Sequence, residues 1–215
     1  MKKHLLYLAI VSLLFPAVLQ AQRTRQASCA NQSSAHWYIT PYGGIGAAWY
    51  SYELNGTIIN PDGKTIEKAE TNTLMTVFFG VQSLYRFSAI NLGIGGEWEG
   101  FSGKVNNGIS KFDLNLYYFK IYGRIEAPLY SDSFNDFGAY ANIGAVIPNR
   151  AFGEQASPGG FIDLGIYYNL ILNQSSSFLF GLGYQQAGFH TTIGQSVSKH
   201  TQKDLRLSLA YRFWF

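Results

Sequence analysis

Five side chains near the end of the chain are of the types that acyl-transfer or hydrolytic chemistry uses: His190, Ser196, Ser198, His200 and Asp204. A serine nucleophile, a histidine base and an orienting carboxylate do that work when they converge in space. They are the only plausible catalytic set in the sequence. All lie in or beside one polar segment, Ala187–Thr201, where a solvated loop carrying two histidines also accounts for them. Two glycine clusters, Gly43-Gly44-Ile45-Gly46 and Gly93-Ile94-Gly95-Gly96, suggest phosphate cradles. Neither opens a helix and both sit inside alternating segments, so they read as small residues that make room for Tyr and Phe opposite. The single cysteine, Cys29, gives no internal disulfide and no cysteine-rich metal site, leaving intermolecular pairing open. Nothing in the sequence asks for a cofactor or a metal.

The remaining chemistry is a series of charges set into otherwise apolar segments. Glu97, Glu99, Asp113, Asp163 and Asp204 fall towards one end of these segments. Arg86, Arg124, Glu126 and Arg212 fall towards the other, with Lys120 and Arg206 between. Such a set either lines an ion path or pairs internally as packing, and the surrounding elements decide which.

Those elements alternate with a period of two. In Leu205–Phe215, Leu205, Leu207, Leu209, Tyr211, Phe213 and Phe215 share one strand face, with Arg206, Ser208, Ala210, Arg212 and Trp214 on the other. A soluble domain rarely shows six large apolar groups on one strand face, whereas a strand between lipid and a polar lumen must. Trp37–Tyr52 behaves likewise, with Trp37, Ile39, Ile45, Ala47 and Trp49 on one face. At about 3.3 Å per residue and a tilt near 45°, Trp37 and Trp49 stand roughly 28 Å apart along a membrane normal, the height of an apolar band flanked by aromatic girdles. Trp98 joins them as a girdle residue.

Six further strands are expected at Thr71–Tyr85, Ile90–Gly100, Phe112–Ala127, Phe137–Ile147, Phe161–Leu170 and Phe178–Gln186. The polar positions of Phe112–Ala127 change parity between Asn115 and Lys120, which predicts a bulge near Tyr117-Tyr118. Long outer connections are expected at Glu53–Glu70, Phe101–Lys111, Pro148–Gly160 and Ala187–Thr201. Inner ones are expected at Arg86–Ala89, Pro128–Asp136 and Ile171–Ser177, the second being unusually long. Turn pairs at Asn55-Gly56, Asp62-Gly63, Asn107-Gly108 and Pro158-Gly159 agree. The fold class is therefore all-β, an eight-stranded antiparallel up-and-down transmembrane β-barrel, with both ends of residues 37–215 on the periplasmic side. Eight strands leave a lumen just wide enough to be filled by side chains, so the charges should pair there, with Tyr42, Tyr122, Tyr140 and Tyr167 among them.

Composition fits. Charged residues are 13% and aromatics 16%, with 23 glycines, as suits an outer wall that excludes charge and rims that collect aromatics. Lys2, Lys3, the apolar run Leu5–Leu19 and Ala21 read as a secretory signal over residues 1–21, and the run is too short for a confident membrane helix. Its removal lowers the formal charge from +3 to +1, so basicity is no argument for a nucleic-acid partner. Residues 22–36 are polar and aperiodic, a flexible periplasmic leader.

The final strand, ending Tyr211-Arg212-Phe213-Trp214-Phe215, resembles the C-terminal signal by which Gram-negative outer-membrane barrels are recognised for insertion. Residues 37–215 as a whole resemble the small eight-stranded outer-membrane β-barrel superfamily, which holds the OmpA-type transmembrane domain, OmpX-like proteins and opacity proteins. The resemblance does not extend to a peptidoglycan-binding domain. It implies a bacterial outer-membrane location and, as partners, outer-membrane lipid and lipopolysaccharide, the barrel assembly machinery, and another outer-membrane protein or a surface ligand. Two eight-stranded families act on lipid A, a palmitoyltransferase and a deacylase with a His-x-Ser motif. Here His190 is followed by Thr191-Thr192 and His200 by Thr201-Gln202, so that motif is absent. Nor does the chain show the transferase's amphipathic N-terminal helix. The expectation is a non-enzymatic protein that binds through its loops or its lipid-facing wall; the alternatives are a lipid A-modifying enzyme and, third, a narrow pore.

Overall fold

The computed structural model describes residues 37–55, 68–71, 74–87, 90–106, 111–132, 134–149, 155–173, 175–193 and 196–215. The signal peptide, the leader, Cys29, and the turn residues Gly56, Asp62-Gly63 and Asn107-Gly108 lie outside them.

Nine antiparallel strands follow one another: β1 (Trp37–Asn55), β2 (Lys68–Thr71), β3 (Leu74–Arg86), β4 (Asn91–Asn106), β5 (Lys111–Ser131), β6 (Asn135–Pro148), β7 (Gln155–Asn173), β8 (Ser176–Ile193) and β9 (Ser196–Trp214). The short β2 lies in line with β3. It pairs with β1 at Ser51↔Glu70 and with β4 at Thr71↔Val105, and β3 takes over at Ala48↔Leu74 and Met75↔Ser102. Nine segments thus make eight staves. β9 returns to β1 over Tyr38↔Trp214 to Asn55↔Val197, which closes the barrel and removes its edges.

Parity is the organising rule. Side chains two apart share a face, so Leu74, Thr76 and Phe78 are buried while Met75, Val77 and Phe79 between them are exposed. The exposed face is the apolar one: Ile94 is 70% exposed, Ile143 69% and Ile121 62%. Leaving such a side chain in water forgoes roughly 1.5–3 kcal/mol. A wall built of them is stable only against lipid. The inward glycines make room for rings, as expected: a Cβ on Gly95 would stand 2.4 Å from the Tyr122 ring, and one on Gly44 2.4 Å from the Phe78 ring.

Several expectations are corrected, and most share one cause. The strands run beyond the apolar band, so the outer connections shrink to residues 56–67, 107–110, 149–154 and 194–195. Above lipid both faces of a strand are wet, and the period-two signal fades there. The predicted bulge at Tyr117-Tyr118 does not exist: β4 and β5 pair without a shift from Asn91↔Glu126 to Asn106↔Lys111. Asp113 pairs with Lys104 on this outer extension, out of phase with the inward set, and its side chain lies outside the described residues. Pro158-Gly159 is not a turn. It lies within β7, where the pairing with β8 shifts between Ser157 and Gly160. A Cβ on Gly159 would stand 1.8 Å from the Gly188 carbonyl oxygen, so the bulge needs glycine. The second inner connection is short, spanning only residues 132–134 between β5 and β6.

Candidate functional site

The lumen is filled in layers. At the outer end Tyr50, Phe101, Leu116, Tyr118, Val146, Phe161 and Phe189 form a buried cluster. His200 is part of this plug: its ring stacks on Phe189 at 4.6 Å and 3°, it shares a hydrogen bond with Thr191 Oγ1 at 2.7 Å, and it bonds the Tyr50 hydroxyl.

Beneath it lies a central ionic layer contributed by four strands. Lys120 Nζ donates to Glu97 Oε1 at 2.6 Å, to Glu99 Oε2 and to Gln185 Oε1 at 2.5 Å. Arg206 reaches Glu97 at 2.7 Å, Gln185 at 2.9 Å and Asp163 at 3.5 Å, with its guanidinium 3.6 Å from the centre of the Phe78 ring. Glu99 also accepts from Tyr118, Gln185 and Gln202. Tyr42 donates to Glu97 and shares a hydrogen bond with Tyr122. Asp204 accepts from Thr76 at 3.0 Å over Gly46 of the intervening β1.

The inner layer reverses the stoichiometry. A single carboxylate, Glu126, accepts from Arg124 at 2.8 Å, from Arg212 at 2.8 and 3.0 Å, and from Asn91 at 3.1 Å. Arg212 also bonds Thr40. Arg86 is half-buried near the inner end of β3. Asn142 joins the layers, donating to Asp163 at 2.8 Å and accepting from Arg124 at 3.2 Å. The polar side chains therefore form one network from Gln202 to Arg212. Between the layers is a cavity of about 40 Å³ lined by Tyr42, Glu97, Arg124, Tyr140, Asp163 and Arg206, among others. That volume holds roughly three waters at about 10–15 Å³ each.

Of the expected lumen residues, Glu97, Glu99, Lys120, Arg124, Glu126, Asp163, Arg206 and Arg212 come together in the network, and Asp204 lies buried beside it. Sequence reading places Gln82 and Asn91 inward by parity and misses Asn142, Gln185 and Gln202. All are buried at inward parity, and a neutral amide carries no charge to draw the eye. The described members of the candidate catalytic set fall on two faces of the wall. His200 and Asp204 face the lumen, His190 lies exposed on the opposite face of the wall, and the Ser196 and Ser198 side chains lie outside the described residues.

The girdle candidates Trp37 and Trp49 are on the outer wall, 53% and 47% exposed, and Trp98 stacks on Phe79 at 5.0 Å. At the inner end Phe178, Tyr211 and Phe213 pack edge to face. Phe215 exchanges backbone hydrogen bonds with Trp37 at 3.0 and 3.4 Å, tying the last residue of the barrel to its first.

No family model and no curated protein matches this chain. Solved structures do. The outer membrane protein OprG from Pseudomonas aeruginosa is similar with a TM-score of 0.51 at 11% identity, over 86% of this chain and 98% of that one. The outer membrane protein AlkL, solved in DMPC bilayers, gives 0.47 at 14% identity, over 86% and 92%. The outer membrane protease OmpT from Escherichia coli gives 0.46 at 6% identity, over 87% and 100%. With eight staves closed on themselves, an apolar outer wall and this likeness, the chain has the fold of the bacterial outer-membrane β-barrels and is a protein of that membrane.

Proposed function

We propose that the protein is a non-enzymatic outer-membrane component that binds a partner, a surface ligand or another membrane protein, through its outer connections or its lipid-facing wall. The observation that supports this reading is the filled lumen: among the described residues, one paired network under an aromatic plug occupies the inside of the barrel and leaves a cavity of about 40 Å³. Binding then falls to the exterior, and the longest outer connection among the strands is 56–67. Loops on a rigid scaffold vary without disturbing it.

Replacing Asn55–Lys68 by a short Gly-Ser turn should abolish capture of the partner that co-purifies in mild detergent, while the folded barrel keeps its shifted mobility on unboiled gels. Binding that survives this change and like changes in the other three outer connections moves the site to the wall. Planar-bilayer recordings should show no steady opening of porin size; large ion-selective openings would establish the pore instead. His190→Ala and His200→Ala should leave the cell's lipid A profile unchanged by mass spectrometry. Loss of an acyl modification in either would establish the enzyme.

A further inference from the structure

The outer plug is built of rings and hydroxyls around one imidazole. His200 on β9 is buried, with its ring flat on Phe189 of β8 at 4.6 Å and 3°. Its two nitrogens share hydrogen bonds with neutral hydroxyls, Thr191 Oγ1 at 2.7 Å and that of Tyr50 on β1. Tyr50 packs on Phe101 of β4 at 5.6 Å, and Phe101 and Phe189 flank Tyr118 of β5 at 5.9 and 6.3 Å. The imidazole is thus a joint between rings drawn from β1, β4, β5, β8 and β9. It stands above the lipid band, since Lys203, three residues nearer the membrane, pairs with the girdle residue Trp49. Of the titratable groups on the same strands, Tyr50, Tyr118 and Tyr52, which stands opposite His200, stay protonated in acid. Glu99 on β4 is taken up by Lys120, Tyr118 and Gln202, and Asp204 on β9 by Thr76. His190, Lys199 and Lys203 are exposed on the outward face, and Glu53 pairs with Lys199.

A neutral imidazole meets two hydroxyls as one donor and one acceptor, whereas an imidazolium is two donors and a charge that calls for water. Within the plug, burial, and after it the charge of His190, hold the His200 pKa down to about 4. We propose that the outer plug is an acid-released closure: protonation of His200 parts its ring from Phe189 and Tyr50 and opens the outer end of the lumen down to the central ionic layer. A histidine whose pKa is depressed in the closed plug stabilises that form above its ordinary value, near 6.5. That contribution is lost as pH falls towards the closed-form value. Opening makes Glu99 and Asp204 the floor of an outward vestibule, on the acidic side of the lumen. The closure goes beyond the partner reading above, which stands whichever way the test falls.

The test uses the full mature protein folded in detergent, carrying Cys29→Ser and Ala187→Cys. Ala187 lies within the plug and is 2% exposed. A maleimide reaches a thiol there only when the plug is open, and the labelling rate relative to the urea-unfolded chain at the same pH removes the thiolate's own pH dependence. From about pH 7.5 to about pH 5 this relative rate should rise about 25-fold, the ratio set by an open-form value near 6.5 and a closed-form value of about 4. His200→Gln keeps a donor and an acceptor for the two hydroxyls but does not titrate in this range, so its profile should be flat whatever its level. His190→Ala should keep the rise. If Ala187→Cys lacks the gel shift of a folded barrel, Val146→Cys, equally deep in the plug, takes its place. A flat profile with His200 present overturns the proposal. So does a rise that survives in His200→Gln, or one that is lost in His190→Ala.

Discussion

The two ionic layers of the lumen solve one problem in opposite ways. The central layer sets four carboxylates, Glu97, Glu99, Asp163 and Asp204, around two cations, Lys120 and Arg206. The inner layer sets one carboxylate, Glu126, among the cations Arg124 and Arg212, with Arg86 towards the mouth. Formally one layer is acidic by two and the other basic by two, so neither is neutral alone. Burying charge is costly unless it is paired and hydrogen-bonded, and the barrel meets this partly within each layer and partly between them through Asn142. The lumen is a polarised core, acidic in its central layer and basic in its inner one.

Breaking the central layer should cost most. Lys120 is wholly buried and touches both Glu97 and Glu99. Lys120→Met leaves two carboxylates facing each other, and a loss of about 3–5 kcal/mol is expected in urea unfolding of the barrel in detergent. Glu126→Gln should cost less, about 2–3 kcal/mol, because an amide still accepts from one guanidinium. If Glu126→Gln proves the worse of the two, the inner layer and not the central one holds the lumen shut.

The layers were legible to different degrees. Every network charge except those beyond the lipid band could be placed inward by parity alone, because a strand with lipid on one face has only one place for charge. Asp113 reaches the lumen only through the bulge expected near Tyr117-Tyr118; without that bulge it is out of phase, on the part of β5 that continues above the band, where a charge need not hide. Asn142, Gln185 and Gln202 escaped notice because neutral amides on an inward face are consistent with mere filling. Only three-dimensional pairing reveals that Asn142 and Gln185 bridge charges and that Gln202 joins Glu99 to Tyr118. His200 packs within the outer plug, and its sequence neighbours do not reveal the Phe189 ring it lies against.

A milder change probes the coupling between layers. Asn142→Ala removes the donor to Asp163 and the acceptor for Arg124 while leaving each its charged partner. A loss of about 1–2 kcal/mol is expected in the same unfolding assay. The effect of Asn142→Ala should largely vanish in a Lys120→Met background, because the layer it connects to is already broken. Simple additivity of the two would show that the layers are independent.

The smallest effect is expected from a carboxylate that needs no partner charge. Asp132, half-buried in the turn between β5 and β6, accepts backbone N–H bonds from Phe134 and Asn135, both at 2.7 Å, and a hydroxyl from Tyr130 at 3.2 Å. The Phe134 N–H chiefly holds its pKa below the usual aspartate value, with smaller contributions from Asn135 and Tyr130. A carboxyl whose pKa is depressed in the folded state stabilises above its unfolded value, near 3.9, and that contribution is lost as pH falls through the folded value. Asp132→Ala should therefore lower the unfolding midpoint slightly at neutral pH, and the gap from the parent should close as the pH is taken below the carboxylate range. A gap as large as that of Lys120→Met, or one that does not change with pH, would mean that this solvated turn, and not the buried ion layers, limits the stability of the barrel.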